Sequence, residues 1–315
     1  MAGLPEREAA ARIAADDIDV LVDLSTHTKG ARPGILALKP ARVQITHIAS
    51  AGTLGLSTVD FKLTDHYADV AENQLHQLET LLPMAGCVYP YRHIEIAGPR
   101  KFSRETLGIP ADAVVIGAFV SGLKLSRRCL SLWRQVLDRL PAARLAFSPV
   151  NAALAPLYAR LVKAAGIDVR RIVFVPQSTT DSDNQARYAL VDFVLDPMPY
   201  GGVNGTLEAL DMGIPVVTLV GKRHAERTSF SILSNLGVTQ TIARSGSEYV
   251  AIAAKLATDR LFMAEVRDAI RAGLSSSALT DMPAHTRNLE AAYIEALRRK
   301  APEVLAVGAG TFVMP

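Results

Sequence analysis

The stretch LDPMPYGGVNGTLEALDMGIPVVTL, residues 195–219, decides the fold predicted for this chain. Its order predicts a buried strand, a glycine-rich loop, a helix that stops at Gly213 to Pro215, and a second buried strand. Three glycines, Gly201, Gly202 and Gly205, allow backbone amides to approach a ligand closely. Because unpaired N–H groups at a helix N-terminus attract anions, the loop predicts a diphosphate site. An ordinary strand-to-helix turn is the alternative.

The helix after this loop supplies further candidates. Asn204 or Thr206 can cap its first turn, depending on where that turn begins. Glu208, on its first turns, can accept hydrogen bonds from ribose hydroxyl groups, as the acidic residue of dinucleotide-binding folds does. The alternative for Glu208 is an acidic residue that complements the positive end of the helix macrodipole.

Around this stretch, short β-branched runs alternate with segments of helical period. The predicted strands are Val114–Phe119, Arg144–Phe147, Arg171–Val175, Asp192–Leu195, Pro215–Val220 and Thr239–Ile242. Strands that alternate with helices predict right-handed βαβ units and a parallel sheet covered on both faces. Six such strands make a complete doubly wound domain.

The first part of the chain has the same pattern with fewer elements. Its predicted strands are Asp19–Asp23, Val43–Ile48, Phe61–Thr64 and Thr80–Leu82. The sequence therefore predicts an α/β protein with a partial Rossmann-like domain over residues 1–97, whose opening βα units are absent from this chain. A second Rossmann-like domain, which contains the glycine-rich loop, is predicted over residues 98–300. Residues 301–315 show no usable period and are predicted to form a loose tail.

Composition bounds the class of protein. The chain has 34 Lys and Arg against 31 Asp and Glu, a formal net charge of +3, which does not favour nucleic-acid binding. Two cysteines, Cys87 and Cys129, cannot form a disulfide framework, and no apolar run approaches the ~20 residues that a membrane helix needs. The N-terminus lacks the pattern of a signal peptide. We therefore expect a cytoplasmic protein that binds neither nucleic acid nor membrane.

A second candidate segment, residues 116–126, places a lysine after a strand. Ser121 and Gly122 form a turn, and Lys124 precedes a helix that Ser126 caps. A lysine at the carboxyl end of a strand faces the crevice where open α/β sheets bind ligands. Its ammonium can neutralise a leaving diphosphate as negative charge develops. A solvated surface lysine is the alternative.

Two polar loops complete the candidates. His27 and Thr28 follow a buried strand, and Pro33 then opens a helix, a pattern that suits an active-site loop. His27 has no identifiable Asp or Ser partner, so a catalytic triad is not predicted, and His47 in an apolar strand is expected to be a core histidine. Residues 221–227 concentrate charge after a strand, where a phosphate site or a solvated turn both fit. No HExxH, paired CxxC or DxD pattern predicts a metal site.

Taken together, these segments resemble the SPINDLY and O-linked N-acetylglucosamine transferase family, glycosyltransferase family 41, to which soluble bacterial N-glucosyltransferases are related. The resemblance runs from about Ile18 to Leu297 with its motifs in order. Matching stretches include IDVLVDLSTHTKGARP, VDFKLTDHYADVAE, IGAFVSGLKLS and LDPMPYGGVNGTLEALDMGIPVVTLVG. An ordered set of motifs is more specific than a lone glycine-rich loop.

The resemblance implies a GT-B architecture, with two Rossmann-like domains facing a cleft, and an inverting sugar transfer that needs no metal and no cofactor. It implies a catalytic role for Lys124 at the diphosphate, with His27 as the fallback base. The residues that it implies in nucleotide-sugar binding are Thr28, Ser121, Gln177, Asn184, Tyr200, Gly202, Val203, Asn204, Gly205, Thr206, Glu208 and Arg227.

The sequence departs from the family pattern in three places, and each departure changes what we expect of this chain. Val203 to Gly205 stand where transferases acting on serine and threonine carry His-Thr-Thr, a form closer to the N-glucosyltransferases. Asn184 takes the place of a family histidine. The family's first strand, its DFxxH-type segment and the preceding helical repeats have no counterpart. We therefore expect an N-terminally truncated chain, whose first domain a missing segment or another chain would complete.

The leading hypothesis is a protein glycosyltransferase. It would transfer GlcNAc or a hexose from a nucleotide donor, UDP-GlcNAc or UDP-glucose, to a side chain of an acceptor protein or peptide. The alternative is a catalytically weak or inactive nucleotide-sugar-binding remnant of such an enzyme. An epimerase acting on a free nucleotide sugar is a third possibility.

Overall fold

The computed structural model describes residues 3–48, 51–96, 101–151, 153–176, 180–277 and 279–307. The chain divides into two units, one of Met1–Pro90 with Asp281–Pro315 and the other of Tyr91–Thr280. No helix within the described ranges is long and apolar enough to cross a membrane.

The first unit is built on a parallel four-stranded sheet, and all four predicted strands are present. Its elements up to residue 84 are α1 (Glu6–Ala15), β1 (Val20–Asp23), α2 (Pro33–Ala37), β2 (Val43–Thr46), β3 (Phe61–Asp65), a 3-10 helix (Ala71–His76) and β4 (Thr80–Met84). The sheet order is β1-β2-β3-β4, with Val20 opposite Val43 and Phe61 opposite Thr80. Every residue of β2 and β3 is buried, as expected for parallel strands covered on both faces.

The second unit contains six strands in the predicted order, with helices between them; the last strand overlaps the predicted Thr239–Ile242 only at Ile242. Its elements are β5 (Val115–Ala118), α3 (Arg127–Arg139), β6 (Arg144–Val150), α4 (Ala155–Ala164), β7 (Ile172–Pro176), α5 (Asp181–Ala186), β8 (Phe193–Leu195), α6 (Asn204–Asp211), β9 (Val216–Leu219), α7 (Thr228–Leu236), β10 (Ile242–Ala243), α8 (Gly246–Thr258) and α9 (Arg260–Ser276). The sheet order is β10-β9-β8-β5-β6-β7, with all pairs parallel. The order reverses between β5 and β8, so these neighbours form the switch point of a doubly wound sheet.

Helix α3 shows how the sequence produces this arrangement. The Ser126 hydroxyl caps it by accepting the N–H of Cys129 at 3.0 Å. Its apolar face is buried, as its spacing predicts, and the indole N–H of Trp133 donates to the hydroxyl of Tyr249 on α8 at 3.1 Å. The cap fixes where the helix begins, and the Trp133 contact links it to α8.

The C-terminal helices depart from the predicted domain boundaries. Helix α10 (Met282–Lys300) packs on β4 of the first unit, where the Asn288 amide donates to the carbonyl of Ala85 at 3.1 Å. The sequence prediction had placed this helix in the second domain, because its buried stripe of small residues would fit either sheet. A further helix, α11 (Pro302–Val307), lies within the predicted loose tail. It is too short to show a period, and residues 308–315 lie outside the described ranges.

The boundary before the second unit also differs from the predicted one. The hydroxyl of Tyr91 and Nδ1 of His93 donate to the carboxylate of Asp211 at 3.0 and 2.7 Å. Because Asp211 ends α6, these contacts attach residues 91–94 to the second unit. The sequence prediction had assigned them to the first domain.

Candidate functional site

The loops that follow β5 and β8 lie at the same edge of the second sheet, because the two strands are parallel neighbours. Ligands bind at this edge, outside the carboxyl ends of the strands at a switch point. The loop after β5 carries Ser121 and Lys124, and the loop after β8 carries Tyr200 and the glycines. Tertiary structure therefore joins two segments that lie 77 positions apart in the chain.

Lys124 is directed into the loop after β8. It ends a 3-10 turn, Gly122–Lys124, which Ser121 caps. Its Nζ donates to the carbonyl of Gly201 at 2.8 Å and lies 4.3 Å from the centre of the Tyr200 ring. Burial lowers the pKa of Lys124, and the nearby Asp196 carboxylate opposes that shift. The solvated surface lysine is therefore not what the structure shows.

Helix α6 begins at Asn204, and the residue before it is Val203, whose side chain makes no cap hydrogen bond. The prediction that Asn204 or Thr206 caps this helix is therefore wrong. The Thr206 hydroxyl instead pairs with the hydroxyl of Ser229 on α7 at 2.7 Å. The carbonyl of Val203 accepts the N–H groups of Thr206 and Leu207 at 3.1 and 2.9 Å.

Two backbone donors at the start of α6 remain open. The N–H groups of Asn204 and Gly205 have no hydrogen-bond acceptor among the described residues. They belong to the first turn of the helix, where N–H groups have no partner within the helix itself. Together with the Lys124 ammonium, they give this loop the donors that an anion requires.

Asp196 lies under the glycine loop and was not singled out from the sequence. Its side chain is 4% exposed, and it accepts the N–H of Gly202 and the hydroxyl of Thr218, each at 2.7 Å. Burial raises the pKa of Asp196 to about 6, although these hydrogen bonds and Lys124 act in the opposite direction. The LDP sequence gave no signal for this role, because an aspartate after a strand commonly starts an exposed turn.

Only one of the two carboxylate oxygens of Glu208 is engaged by neighbouring side chains. Its Oε2 accepts the hydroxyl of Tyr188 at 2.9 Å and pairs with Nη2 of Arg187 at 3.3 Å. Its Oε1 has no donor within hydrogen-bond distance in the described part of the chain, so it can accept from a ligand. The Arg187 guanidinium lies 5.1 Å from the centre of the Phe119 ring and donates to Oδ1 of Asn184 at 3.4 Å. Arg187 and Tyr188 had not been predicted as site residues.

The charged loop after β9, residues 221–227, is held mainly by hydrogen bonds between its own residues. The Glu226 carboxylate accepts the N–H groups of Lys222 and Arg223 at 3.1 and 3.2 Å. Arg227 donates to the carbonyl of Gly221 at 3.0 Å and lies against the Phe230 ring. The carbonyl of Ala225 accepts the N–H of Gly201 at 2.8 Å, so this loop supports the glycine loop.

His27 and Thr28 lie in the first unit, in the loop after β1. Nε2 of His27 donates to the carbonyl of Thr53 at 2.8 Å, which leaves Nδ1 as the acceptor nitrogen. The Thr28 hydroxyl donates to the carbonyl of Ser25 at 2.7 Å, and both side chains are exposed. His47 is buried, as expected. Gln177, the remaining predicted site residue, lies outside the described ranges.

Within the described ranges, no three His, Cys, Asp or Glu side chains are arranged to hold a metal ion. The donors gathered at the β5–β8 edge are an ammonium, backbone amides and a carboxylate with one open oxygen. This set can bind a diphosphate and a ribose hydroxyl through hydrogen bonds and charge alone.

Comparison with known proteins agrees with this geometry. The model of glycosyl transferase family 41 matches residues 5–96 and 99–289. A probable UDP-N-acetylglucosamine–peptide N-acetylglucosaminyltransferase SPINDLY of Petunia hybrida is 30% identical over 305 residues, which are 94% of this chain and 32% of that protein. The Arabidopsis thaliana SPINDLY protein is 31% identical over 294 residues, 92% of this chain and 32% of that protein. The chain thus spans about a third of the length of these curated relatives.

Among solved structures, a K341M mutant of the Thermobaculum terrenum O-GlcNAc transferase superposes with a TM-score of 0.84 at 28% identity. The match covers 96% of this chain and 57% of that one. The predicted α/β fold of the GT-B kind, with Rossmann-like parallel sheets, is therefore confirmed, as is the resemblance drawn from the motifs. The chain belongs to glycosyltransferase family 41.

Proposed function

We propose that this chain carries the donor-binding machinery of a protein glycosyltransferase, which transfers a sugar from a UDP-linked donor to an acceptor protein or peptide, with inversion and without a metal. One observation carries the proposal. The Lys124 ammonium, from the loop after β5, meets the glycine loop after β8 at the switch-point edge, where α6 carries Glu208 and the open N–H groups of Asn204 and Gly205.

This arrangement suits the departure of a nucleoside diphosphate. As the sugar–phosphate bond breaks, negative charge develops on the diphosphate, and positioned donors stabilise it. One such electrostatic donor is worth ~3 kcal/mol, or a hundredfold or more in rate. The open Oε1 of Glu208 would accept a ribose hydroxyl, while Arg187 and Tyr188 fix the carboxylate through Oε2. Tyr200 and Val203, beside the ammonium and the open amides, would border the donor.

The relatives' names support UDP-GlcNAc as the donor, since SPINDLY proteins are named UDP-N-acetylglucosamine–peptide transferases. The Val203-Asn204-Gly205 segment supports UDP-glucose instead, through its likeness to N-glucosyltransferases. His27, with Nδ1 as its acceptor nitrogen, is the proposed base for the acceptor group. We place the activity in the cytoplasm, where the thiol of a buried cysteine such as Cys129 stays reduced.

Calorimetric titration with UDP, UDP-GlcNAc, UDP-glucose and GDP-fucose tests the proposal, followed by transfer of labelled sugar to a mixture of denatured proteins. Binding of UDP and one UDP-sugar, with transfer to protein, is expected. Binding without transfer or donor hydrolysis would identify the alternative, a nucleotide-sugar-binding module. Conversion of the free sugar nucleotide without an acceptor would identify an epimerase. Absence of all binding would overturn each of these.

A further inference from the structure

A second basic cavity lies at the opposite end of the second sheet from the proposed donor site. It has a volume of about 610 Å³, and its walls include Val114 and Asp192. These residues directly precede β5 and β8, so the cavity lies at the amino ends of the strands whose carboxyl ends carry Lys124 and the glycine loop. Because parallel strands share one direction, the two places cannot form one site.

Four arginines line this cavity: Arg104, Arg260, Arg267 and Arg271. Three of them come from α9 at positions i, i+7 and i+11. At 100° per residue these side chains fall within roughly 40° of one another around the helix axis. The face of α9 that lines the cavity therefore carries three guanidinium groups in a row, beside Met263, Ala264 and Asp268. Arg104 lies on another wall.

The carboxylates of the cavity neutralise only part of this charge. Asp192 pairs with Arg104 at 3.0 Å and also accepts the N–H of Val115 at 2.7 Å. Asp268 pairs with Arg271. Asp112, the remaining lining carboxylate, forms no ion pair in the described part of the chain.

Two guanidinium groups are left without a carboxylate. Arg260 and Arg267 form no ion pair among the described residues. Nη2 of Arg267 has only a long contact, 3.4 Å, with the carbonyl of Asp192. Its Nε is shut off from solvent and has no acceptor in the described part of the chain. A buried donor without an acceptor is costly, so the Arg267 side chain would gain free energy by turning this nitrogen toward an anion in the cavity.

We propose that this cavity, which we call the arginine cavity, binds the phosphate groups of a small phosphorylated molecule. Guanidinium groups bind phosphate oxygens in pairs, and they do so better than an ammonium because of their planar fork. The volume exceeds that needed for a single ion, so the ligand carries more than one phosphate or a phosphate with an organic group. Free pyrophosphate, a nucleotide and a sugar phosphate share this chemistry.

Pyrophosphate is the probe, titrated calorimetrically into the full chain at about 0.1 M salt with and without saturating UDP. The expected result is binding that persists when UDP is held at the lowest concentration that saturates the donor site, where Glu208 would give a nucleoside diphosphate a ribose contact that the arginine cavity lacks. Inorganic phosphate, glucose 1-phosphate and ATP, titrated under the same conditions, distinguish the sources. The probe that binds with the lowest dissociation constant indicates whether the cavity prefers one phosphate, a sugar phosphate or a polyphosphate.

The double variant Arg260→Gln/Arg267→Gln should bind pyrophosphate at least tenfold more weakly in the presence of UDP. The matched control Arg139→Gln/Arg160→Gln removes two exposed arginines of the same unit and should bind like the unmodified chain. The single variant Arg260→Glu alters an exposed side chain and keeps the test valid if the double variant fails to fold. Loss of all pyrophosphate binding under UDP, or equal binding by the arginine variants, would overturn the proposal.

Discussion

The Oδ1 of Asp196 accepts the backbone N–H of Gly202 at 2.7 Å, and this contact fixes the glycine loop above the end of β8. Oδ2 of the same carboxylate binds the hydroxyl of Thr218 on β9. The loop that would hold a diphosphate is therefore positioned by a buried acid, whose pKa burial raises to about 6. Loop geometry and protonation are coupled at this residue.

A pH-dependent contribution to stability follows from Asp196. Between its unfolded pKa of 3.8 and about 6, the folded protein keeps a proton that the unfolded chain has lost. Stability from this group is present below pH 4 and is lost as the pH rises through 6. At 1.36 kcal/mol per pKa unit, the change is about 3 kcal/mol at most.

Asp196→Asn should remove this dependence while keeping an acceptor for Gly202. Urea unfolding at a series of pH values would measure it. The stability of the unmodified chain relative to the variant should fall between about pH 4 and pH 7. Parallel pH profiles for the two proteins would contradict the coupling.

Gly202→Ala should destabilise the loop. An added Cβ would lie 2.7 Å from the Thr206 hydroxyl and 3.2 Å from Oδ1 of Asp196, so these two buried, hydrogen-bonded side chains or the loop itself would have to shift. Strain of this kind costs about 1 to 3 kcal/mol. Gly205→Ala is the matched control, since its Cβ would meet nothing nearer than 3.4 Å. Equal free energies of unfolding for the two variants, measured in urea, would show that the loop is not tightly packed.

Lys124→Ala should reduce sugar transfer at least a hundredfold, because it removes the ammonium that would stabilise the leaving diphosphate. Its unfolding free energy should change little, since the side chain makes one hydrogen bond and one ring contact. The control is Lys163→Ala, which removes an exposed lysine of α4 in the same unit. Initial rates with labelled donor give the comparison, and unchanged turnover in Lys124→Ala would refute the assigned role.

Glu208→Gln should separate recognition of the nucleoside from recognition of the phosphates. The variant keeps the shape of the side chain but weakens its acceptor oxygens, so affinity for UDP should fall about tenfold, the loss of one charged hydrogen bond. Affinity for pyrophosphate should stay within about twofold, since no phosphate contact is removed. Glu290→Gln, an exposed change in the first unit, is the control. A parallel loss for both ligands in calorimetry would argue that Glu208 acts on the loop rather than on ribose.

His47 should make the first unit less stable in acid. Burial lowers its pKa from 6.5 to about 4, with His285 nearby acting in the same direction. Between these values the unfolded chain binds a proton that the folded chain excludes, so stability rises with pH over this range by about 3 kcal/mol at most. Relative to His47→Gln, the unmodified chain should lose stability as the pH falls from 7 to 4. A constant difference in urea unfolding would contradict this.

The sequence predicted the strands of both sheets, because buried parallel strands are continuous apolar runs that leave a strong local signal. It predicted Lys124 and the glycine loop as candidates for the same reason, since both follow such strands. It did not identify Asp196, Arg187 or Tyr188, whose importance lies in contacts with residues distant in the chain. It also placed α10 in the wrong unit, because an amphipathic helix does not encode which of two apolar sheets it covers.

By itself, the sequence determined the order of strands and helices, the family and the segments where a donor would bind, since these depend on local period and ordered motifs. Only tertiary structure decided that β5 and β8 are neighbours, that Lys124 meets the Gly201 carbonyl, and that a buried carboxylate holds the loop. It also decided which arginines of α9 face a cavity and which carboxylates neutralise them. The physical reason is that strand order and charge pairing are fixed by packing between distant segments, which leaves no periodic trace along the chain.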